Sequence, residues 1–313
     1  MTRPHITTPA ELSSLRDLEL ATRATVEGLR QGLHRSPFHG YSAEFNQYRH
    51  YRPGDDLKYV DWKAFGRTDR LFTRQFRETT NLSALFVVDV SRSMDFGDKF
   101  RLAQSVTAVL GTLIIDQGDL AGVVADGRLS ARAQSDGPRV AGNAIDETGV
   151  APAAYLPPRS GHRQLAQFLA IVARLRPEGT AGIAAGLDRA ASLLHRRGLV
   201  VAVSDFYDDA QALTALRRLA RRGHEMIVVQ TLSADEVRLS PMGVVELVDA
   251  ETGRGVVVEA ERARADYETK IAHWLDGFET AVRREGLGYV RVVTGEPLER
   301  VLRLFLVSRR SAA

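Results

Sequence analysis

Cysteine is absent from the 313-residue chain. This absence excludes disulfide bonds, cysteine nucleophiles and thiolate-ligated zinc or iron–sulfur sites. No apolar run approaches the roughly 20 residues that a membrane-spanning helix needs, and no signal-peptide core follows the N-terminus. A strong excess of one charge is also missing, because Lys and Arg number 42 and Asp and Glu number 39. We therefore expect a cytoplasmic protein that neither inserts into a membrane nor binds nucleic acid.

The chain changes character near residue 80. Residues 1–80 combine a helical pattern with a polar, aromatic segment, and we interpret them as an N-terminal extension. This segment turns at Pro53-Gly54-Asp55-Asp56, because proline fixes φ and glycine accepts a positive φ. Packing of Trp62 against a sheet would account for the aromatic residue that follows the turn. The simplest interpretation of the segment is therefore a structural turn.

From residue 81 to residue 313, short β-branched runs alternate with amphipathic helical patterns. The apolar runs at 84–89 and 199–204 are typical of buried parallel strands. The alternation predicts a doubly wound, mostly parallel α/β sheet with helices on both faces. Residues 134–158 are rich in turn-forming residues and show no periodicity, so we expect a long loop there.

Oxygen-bearing side chains stand where two predicted buried strands end and in one loop. Asp89, Ser91 and Ser93 follow the first of these strands, and Asp205 follows the second. Thr180 lies in a loop between two predicted helices. Ligands of open parallel sheets bind outside the carboxyl ends of the strands. Carboxylates and hydroxyls together suit Mg²⁺ or Mn²⁺, which prefer hard oxygen ligands.

Three of these residues also have a simpler interpretation. Asp89 and Asp205 could cap the helices that follow them, and Thr180 could cap the helix that begins near Ile183. If Asp89 and Asp205 instead face each other, they should repel, and at least one pKa should be raised. Replacing either with alanine should then slightly stabilise the metal-free protein.

The order Asp-x-Ser-x-Ser, then Thr, then Asp resembles the metal-ion-dependent adhesion site of von Willebrand factor A domains. The resemblance is closer to a bacterial branch, the domain-of-unknown-function-58 family. That branch also carries an upstream Pro-Gly-Asp turn and an Asp-Trp pair, which here are Pro53-Gly54-Asp55-Asp56 and Asp61-Trp62. The match extends to Ser93-Met94 and to residues 201–206, and it covers about residues 38–230. The chain departs from the family at Glu178, where a glycine is usual.

The resemblance implies a von Willebrand factor A-like fold and a divalent metal site. Its ligands would be Asp89, Ser91, Ser93, Thr180 and Asp205, and a partner's Asp or Glu carboxylate would complete the coordination. The resemblance also implies a partner class, the MoxR-type AAA+ ATPases. We expect a non-enzymatic adaptor that acts with such an ATPase in protein remodelling or chaperone activity.

A metal-assisted hydrolase that uses the same carboxylates is the alternative. The sequence has no nucleophile elbow, no P-loop and no dinucleotide-binding glycine motif. A haloacid dehalogenase-type phosphatase would need a second aspartate where Ser91 stands, and a hydroxyl cannot act as the general acid there. Hydrolysis by a metal-bound water stays open. Nucleic-acid binding is a third hypothesis, which predicts a steep salt dependence.

Overall fold

The computed structural model describes residues 15–32, 43–52, 60–78, 82–125, 154–177, 182–207, 209–239, 243–248 and 255–298. The helices are α1 (Leu15–Gly32), α2 (Trp62–Thr68), α3 (Lys99–Asp116), α4 (His162–Arg174), α5 (Ile183–Leu193), α6 (Asp209–Arg221), α7 (Ala234–Val237) and α8 (Ala260–Arg284). The strands are β1 (Ala43–His50), β2 (Phe72–Glu78), β3 (Ser83–Val88), β4 (Leu120–Ala125), β5 (Ala154–Arg159), β6 (Leu199–Ser204), β7 (Glu225–Leu232), β8 (Val244–Val248), β9 (Gly255–Glu259) and β10 (Gly288–Val293).

Six strands form one sheet in the order β10-β7-β6-β3-β4-β5. All neighbouring pairs are parallel except β4 and β5, which are antiparallel. The central strands β3 and β6 consist almost entirely of buried residues, which explains why they appear in the sequence as unbroken apolar runs. The predicted doubly wound, mostly parallel α/β sheet is confirmed.

Helices cover both faces of this sheet. Helices α5, α6 and α8 contact one set of strands, and their apolar residues share a buried cluster with Leu85, Val200 and Val228. Helices α3 and α4 cover strands β3 and β4, and the rings of Phe86 and Phe168 meet there with centroids 5.5 Å apart. Gly111 makes this contact possible, because a Cβ there would collide with the Phe168 ring.

Strand β5 corrects one expectation. The predicted loop at 134–158 includes residues that belong to this strand, and residues 134–153 lie outside the described residues. Pro157 and Pro158 indicate a loop in the sequence, but they stand in the outermost strand among those the structure describes. An edge strand tolerates proline because its outward backbone groups have no ladder partner.

The chain divides into two compact units, one comprising Met1–Pro37 with Ser83–Ala313 and the other Phe38–Leu82. Helix α1 therefore belongs to the unit that contains the six-stranded sheet. The expected N-terminal extension over residues 1–80 is not one unit. The physical reason is packing, because α1 contacts α3 and α4 and buries Leu18 and Val26.

The smaller unit pairs β1 with β2 in antiparallel fashion and includes α2. Asp61 is buried and accepts a hydrogen bond from the backbone N–H of Ala64 at 3.0 Å, so it caps α2. Trp62 is 58% exposed and makes an edge contact with Phe65, so the expected packing of this ring on a sheet is not found within the described part of this unit. The turn at Pro53-Gly54-Asp55-Asp56 lies outside the described residues.

Among the helices in the part of the chain that the structure describes, none has a stretch long and apolar enough to cross a bilayer.

Candidate functional site

The site lies at the point where the winding of the sheet reverses. From β3 the chain continues to β4 on one side, and from β6 it continues to β7 on the other. Strands β3 and β6 are parallel neighbours, so their carboxyl ends lie side by side. Asp89 leaves β3 with its backbone N–H still bonded to the carbonyl of Val203, and Asp205 follows the last residue of β6. A crevice at such a switch point is the usual ligand site of an open α/β sheet.

Asp89 is buried and held by neutral donors. Its Oδ1 accepts a hydrogen bond from the backbone N–H of Ser91 at 2.8 Å. Its Oδ2 accepts one from the hydroxyl of Ser204 at 2.5 Å. Among the described residues, no basic side chain forms an ion pair with this carboxylate. The side chain is therefore fixed in orientation, and its negative charge has no counter-ion in the described part of the chain.

Ser91 and Ser93 complete the β3 side of the site. Their hydroxyl oxygens are 3.0 Å apart. Ser91 is buried, and a short 3-10 helix over Arg92–Asp95 follows it and carries Ser93. Met94 in the same helix is fully buried and donates its backbone N–H to the carbonyl of Ser91. Burial of Met94 fixes the loop, so that the hydroxyls of Ser91 and Ser93 lie on the same side of the site as the Asp89 carboxylate.

Asp205 has a different environment. Its Oδ2 accepts a hydrogen bond from the Lys99 ammonium at 2.8 Å, and Lys99 also contacts Glu236 Oε1 at 2.5 Å. Its Oδ1 accepts the backbone N–H of Tyr207 at 3.2 Å. The intervening Phe206 is buried and adopts φ +59, a left-handed conformation that side chains rarely adopt. Strain of this kind clusters at functional sites.

Hydrogen bonds hold the Asp205 backbone from behind. The amide of Gln230 on β7 donates to the Asp205 carbonyl at 2.9 Å. The hydroxyl of Tyr289 on β10 donates to Gln230 Oε1 at 2.5 Å and accepts from Arg291 Nε at 3.0 Å. A chain of polar side chains thus connects the end of β6 to the edge of the sheet at β10.

Burial and charge shift the acidity of two groups in the site. Burial, followed by the nearby Asp205 carboxylate, raises the pKa of Asp89 from 3.8 to about 6. The expectation that repulsion raises one of the two pKa values is thus met at Asp89, although burial is the larger cause. Burial, with Glu236 and Asp205 nearby, also raises the pKa of Tyr207. Tyr207 therefore remains a neutral phenol.

The structure brings together four of the five predicted ligands, namely Asp89, Ser91, Ser93 and Asp205. Thr180 lies outside the described residues, so its role stays a prediction. The helix-cap interpretation of Asp89 is not supported, because α3 begins only at Lys99 and its N-cap position is Asp98.

Sequence reasoning missed Lys99 and Glu236. A signal for Lys99 existed, because a lysine at the first position of an apolar helix opposes the helix dipole. Glu236 carried no comparable local signal, since it forms part of an ordinary capping box with Ser233.

The donor set is compatible with Mg²⁺ or Mn²⁺. Both ions prefer hard oxygen ligands and retain several waters, so two carboxylates and two hydroxyls suffice as protein donors. The unbalanced charge on the buried Asp89 favours a cation beside it. Among the described residues, no group of three or more His, Cys, Asp or Glu side chains is arranged to hold a metal ion. Among the described residues, the hydroxyls of Ser91 and Ser93 are therefore the donors that would accompany the two carboxylates.

Proteins with similar sequences have been identified in mycobacteria. An uncharacterized protein of Mycobacterium bovis is 31% identical over 262 residues, which cover 81% of this chain and 75% of that protein. An uncharacterized protein of Mycobacterium tuberculosis matches with the same identity and coverage. An uncharacterized protein of Mycobacterium avium is 29% identical over 163 residues, which cover 50% of this chain and 95% of that protein.

Two solved structures are similar at low sequence identity. The conserved hypothetical protein BatB from Bacteroides thetaiotaomicron is 13% identical with a TM-score of 0.39, and the match covers 74% of this chain and 100% of that one. The second is an aerotolerance-related membrane protein from Bacteroides fragilis with multiple mutations to serines. It is 14% identical with a TM-score of 0.41, and the match covers 74% of this chain and 98% of that one. Likenesses at these TM-scores carry no argument about the site or its partners.

The second of these structures corrects the expectation of a cytoplasmic location. The Bacteroides fragilis protein is described as a membrane protein. The lack of long apolar runs in a sequence does not by itself establish a cytoplasmic location. The expectation of a cytoplasmic location is therefore not retained.

The family assignment rests on sequence. Residues 47–135 and 129–274 match the model of a family described as a protein of unknown function, DUF58. These segments together span well over half of the chain, and the switch-point residues Asp89 and Asp205 fall within them. The chain belongs to the DUF58 family.

Proposed function

We propose that this protein is a non-enzymatic adaptor that binds a partner protein through a divalent cation. The observation that carries the proposal is the convergence of Asp89, Ser91, Ser93 and Asp205 at the switch point of the sheet. These side chains would hold Mg²⁺ or Mn²⁺, and the bound ion would offer a coordination position to a carboxylate from the partner. Ion and partner would then bind as linked events.

We propose MoxR-type AAA+ ATPases as the partner class and protein remodelling or chaperone activity as the setting. The support for this part is the resemblance to the DUF58 family described above. The ATPase would supply the energy of ATP hydrolysis, and the adaptor would supply recognition. The absence of a P-loop motif from this sequence is compatible with that division of labour.

The test is a binding assay between the purified protein and the MoxR-type ATPase of the source organism, in Mg²⁺ and in EDTA. We expect capture by the wild type in Mg²⁺ only, and no capture by Asp89→Ala in either buffer. Asp95→Ala is the matched control, because Asp95 is an exposed carboxylate in the same loop. Capture that persists in EDTA, or that survives Asp89→Ala, contradicts the proposal.

A metal-assisted hydrolase is the second candidate, and one observation favours it. The buried carboxylates Asp89 and Asp205 lie at the switch point of the sheet, where they could hold a metal ion whose bound water would be the nucleophile. Turnover of phosphoesters or peptides that requires Mn²⁺ and is lost in Asp205→Ala would support this candidate. A lack of turnover by a protein that binds Mn²⁺ would leave the adaptor function as the better account.

A further inference from the structure

Lys99 is a fully buried lysine beside the candidate site. Its side chain is 0% exposed, and its ammonium lies between the carboxylates of Asp205 and Glu236, at 2.8 and 2.5 Å. The ring of Tyr207 lies 4.9 Å from the same nitrogen. One of the two carboxylates that hold Lys99 is thus a candidate metal ligand and the other is not.

The position of Lys99 is unfavourable apart from these partners. It is the first residue of α3, where the partial positive charge of the helix disfavours a cation. Burial adds the cost of removing an ammonium group from water. A buried ion pair of this kind often contributes no net stability relative to apolar side chains. Stability alone therefore does not explain why a lysine stands here.

The two loops that frame the ammonium are fixed in place. Gly97 and Asp98 both adopt left-handed conformations just before Lys99, and a Cβ at Gly97 would collide with the hydroxyl oxygen of Ser233. Such close approach keeps the start of α3 against the start of α7. Lys99 therefore cannot move far from Glu236 without disturbing both loops.

Glu236 is the more rigid of the two carboxylate partners. Its Oε2 accepts the backbone N–H of Ser233 at 2.7 Å, and its backbone carbonyl accepts the hydroxyl of Tyr267 at 2.8 Å. Asp205 Oδ1, by contrast, has a longer bond of 3.2 Å to the backbone N–H of Tyr207. Glu236 can therefore keep the ammonium neutralised while Asp205 changes its own partner.

We propose that Lys99 is the internal counter-ion that sets the affinity of the site for divalent cations, with Glu236 as the carboxylate that retains its ammonium. Lys99 neutralises Asp205, so it opposes the approach of a second cation to that carboxylate. Glu236 weakens the repulsion between Lys99 and the incoming cation, because it also pairs with the Lys99 ammonium. The inference deepens the proposed function and rests on its metal site.

The test measures the dissociation constant for Mn²⁺ by electron paramagnetic resonance of the free ion. Lys99→Met should bind Mn²⁺ on the order of tenfold more tightly, because a repelling charge is removed. Glu236→Gln should bind it several-fold more weakly, because Lys99 then depends on Asp205 alone. Lys270→Met is the matched control, since it removes the same charge from an exposed lysine that pairs with Asp266, and it should leave affinity unchanged.

The opposite signs of the two effects distinguish this role from a structural one. If Lys99 only supported the fold, both variants would bind Mn²⁺ more weakly or with unchanged affinity, and either result overturns the inference. Should Lys99→Met fail to fold by circular dichroism, Glu236→Gln alone can still contradict the proposal, because unchanged or tighter Mn²⁺ binding by that variant is incompatible with it.

Failure of this inference can be separated from failure of the proposed function. A wild type that binds no Mn²⁺ overturns both. A wild type that binds Mn²⁺, with variants that do not diverge, overturns the inference alone. Divergent variants in a protein that captures no ATPase support the role of Lys99 and contradict the adaptor function.

Discussion

The two carboxylates at the ends of β3 and β6 are almost equally buried, with Asp89 4% exposed and Asp205 2% exposed, yet they are held in opposite ways. Asp89 is bonded to a hydroxyl and a backbone N–H, and its charge is not balanced by an ion pair among the described residues. Asp205 is bonded to the Lys99 ammonium. Equal burial therefore does not mean equal electrostatic environment.

This difference assigns the two aspartates separate roles in the candidate site. Asp89 carries the unbalanced charge and gains most from an added cation. Asp205 is already neutralised, and the Gln230 and Tyr289 hydrogen bonds hold its backbone. Asp89 would thus drive cation binding, whereas Asp205 would contribute an oriented ligand.

The largest expected effect comes from Asp205→Ala in the absence of metal. The substitution leaves the buried Lys99 with Glu236 as its remaining carboxylate partner, so we expect a loss of about 3 kcal/mol in the free energy of unfolding. Urea denaturation in EDTA at pH 7 measures it. This expected loss is opposite in sign to the slight stabilisation that simple repulsion between Asp89 and Asp205 predicts.

The exposed Asp95→Ala is again the control, and its unfolding free energy should stay within about 0.5 kcal/mol of the wild-type value. A stability of Asp205→Ala equal to or above that of the wild type would show that the Lys99 ion pair does not form in solution.

The second largest expected effect is an increase in the free energy of unfolding. Asp89→Asn should stabilise the metal-free protein at pH 7 by about 2 kcal/mol. The rise in the pKa of Asp89 corresponds to about 3 kcal/mol, and loss of the charged acceptor for the Ser204 hydroxyl offsets about 1 kcal/mol of it. The folded-state pKa of Asp89 is about 6 and the ordinary value is 3.8. The contribution of neutral Asp89 to the stability of the wild type is therefore fully present below about pH 4, and it is lost as the pH rises through about 6.

Urea denaturation of both proteins between pH 4 and pH 7.5, in EDTA, checks this prediction. The difference between them should be small at pH 4 and should grow to its full size by pH 7. A difference that does not change with pH would mean that ionisation of Asp89 is not its cause.

The smallest expected effect concerns the support behind Asp205. Tyr289→Phe removes the hydroxyl that donates to Gln230, leaving a buried amide oxygen with one partner fewer, so we expect a loss of about 1 kcal/mol. Thermal unfolding measures the loss. Asp89→Asn should change stability by the same amount in the Tyr289→Phe variant as in the wild type, because the chain of hydrogen bonds reaches only the Asp205 half.

The sequence predicts the fold and the positions of the two aspartates of the candidate site, but it does not predict strand β5 or Lys99. The reason for each success or failure differs from element to element. Strands β3 and β6 are predictable because residues buried on both faces produce continuous apolar runs. The positions of Asp89 and Asp205 then follow from the rule that parallel strands end at the same edge. Strand β5 was missed because proline at a sheet edge has the same local pattern as proline in a loop.

Lys99 was missed for a different reason. Its unfavourable position at the start of α3 is visible in the sequence, but its partners lie 106 and 137 residues further along the chain, and no local pattern identifies them. A lysine at the start of a helix ordinarily faces water. The three-dimensional structure is needed to show that this one is buried beside Asp205.

The prolines of β5 also restrict how other chains can approach the molecule. Exposed sheet edges invite strand addition and edge-to-edge aggregation, because their backbone groups are free to pair. Pro157 and Pro158 have no backbone N–H, and because successive residues of a strand direct their backbone groups to opposite edges, an incoming strand would find one donor missing from the ladder. Among the strands that the structure describes, the outer edge of β5 is therefore less suited to strand addition than an edge without proline.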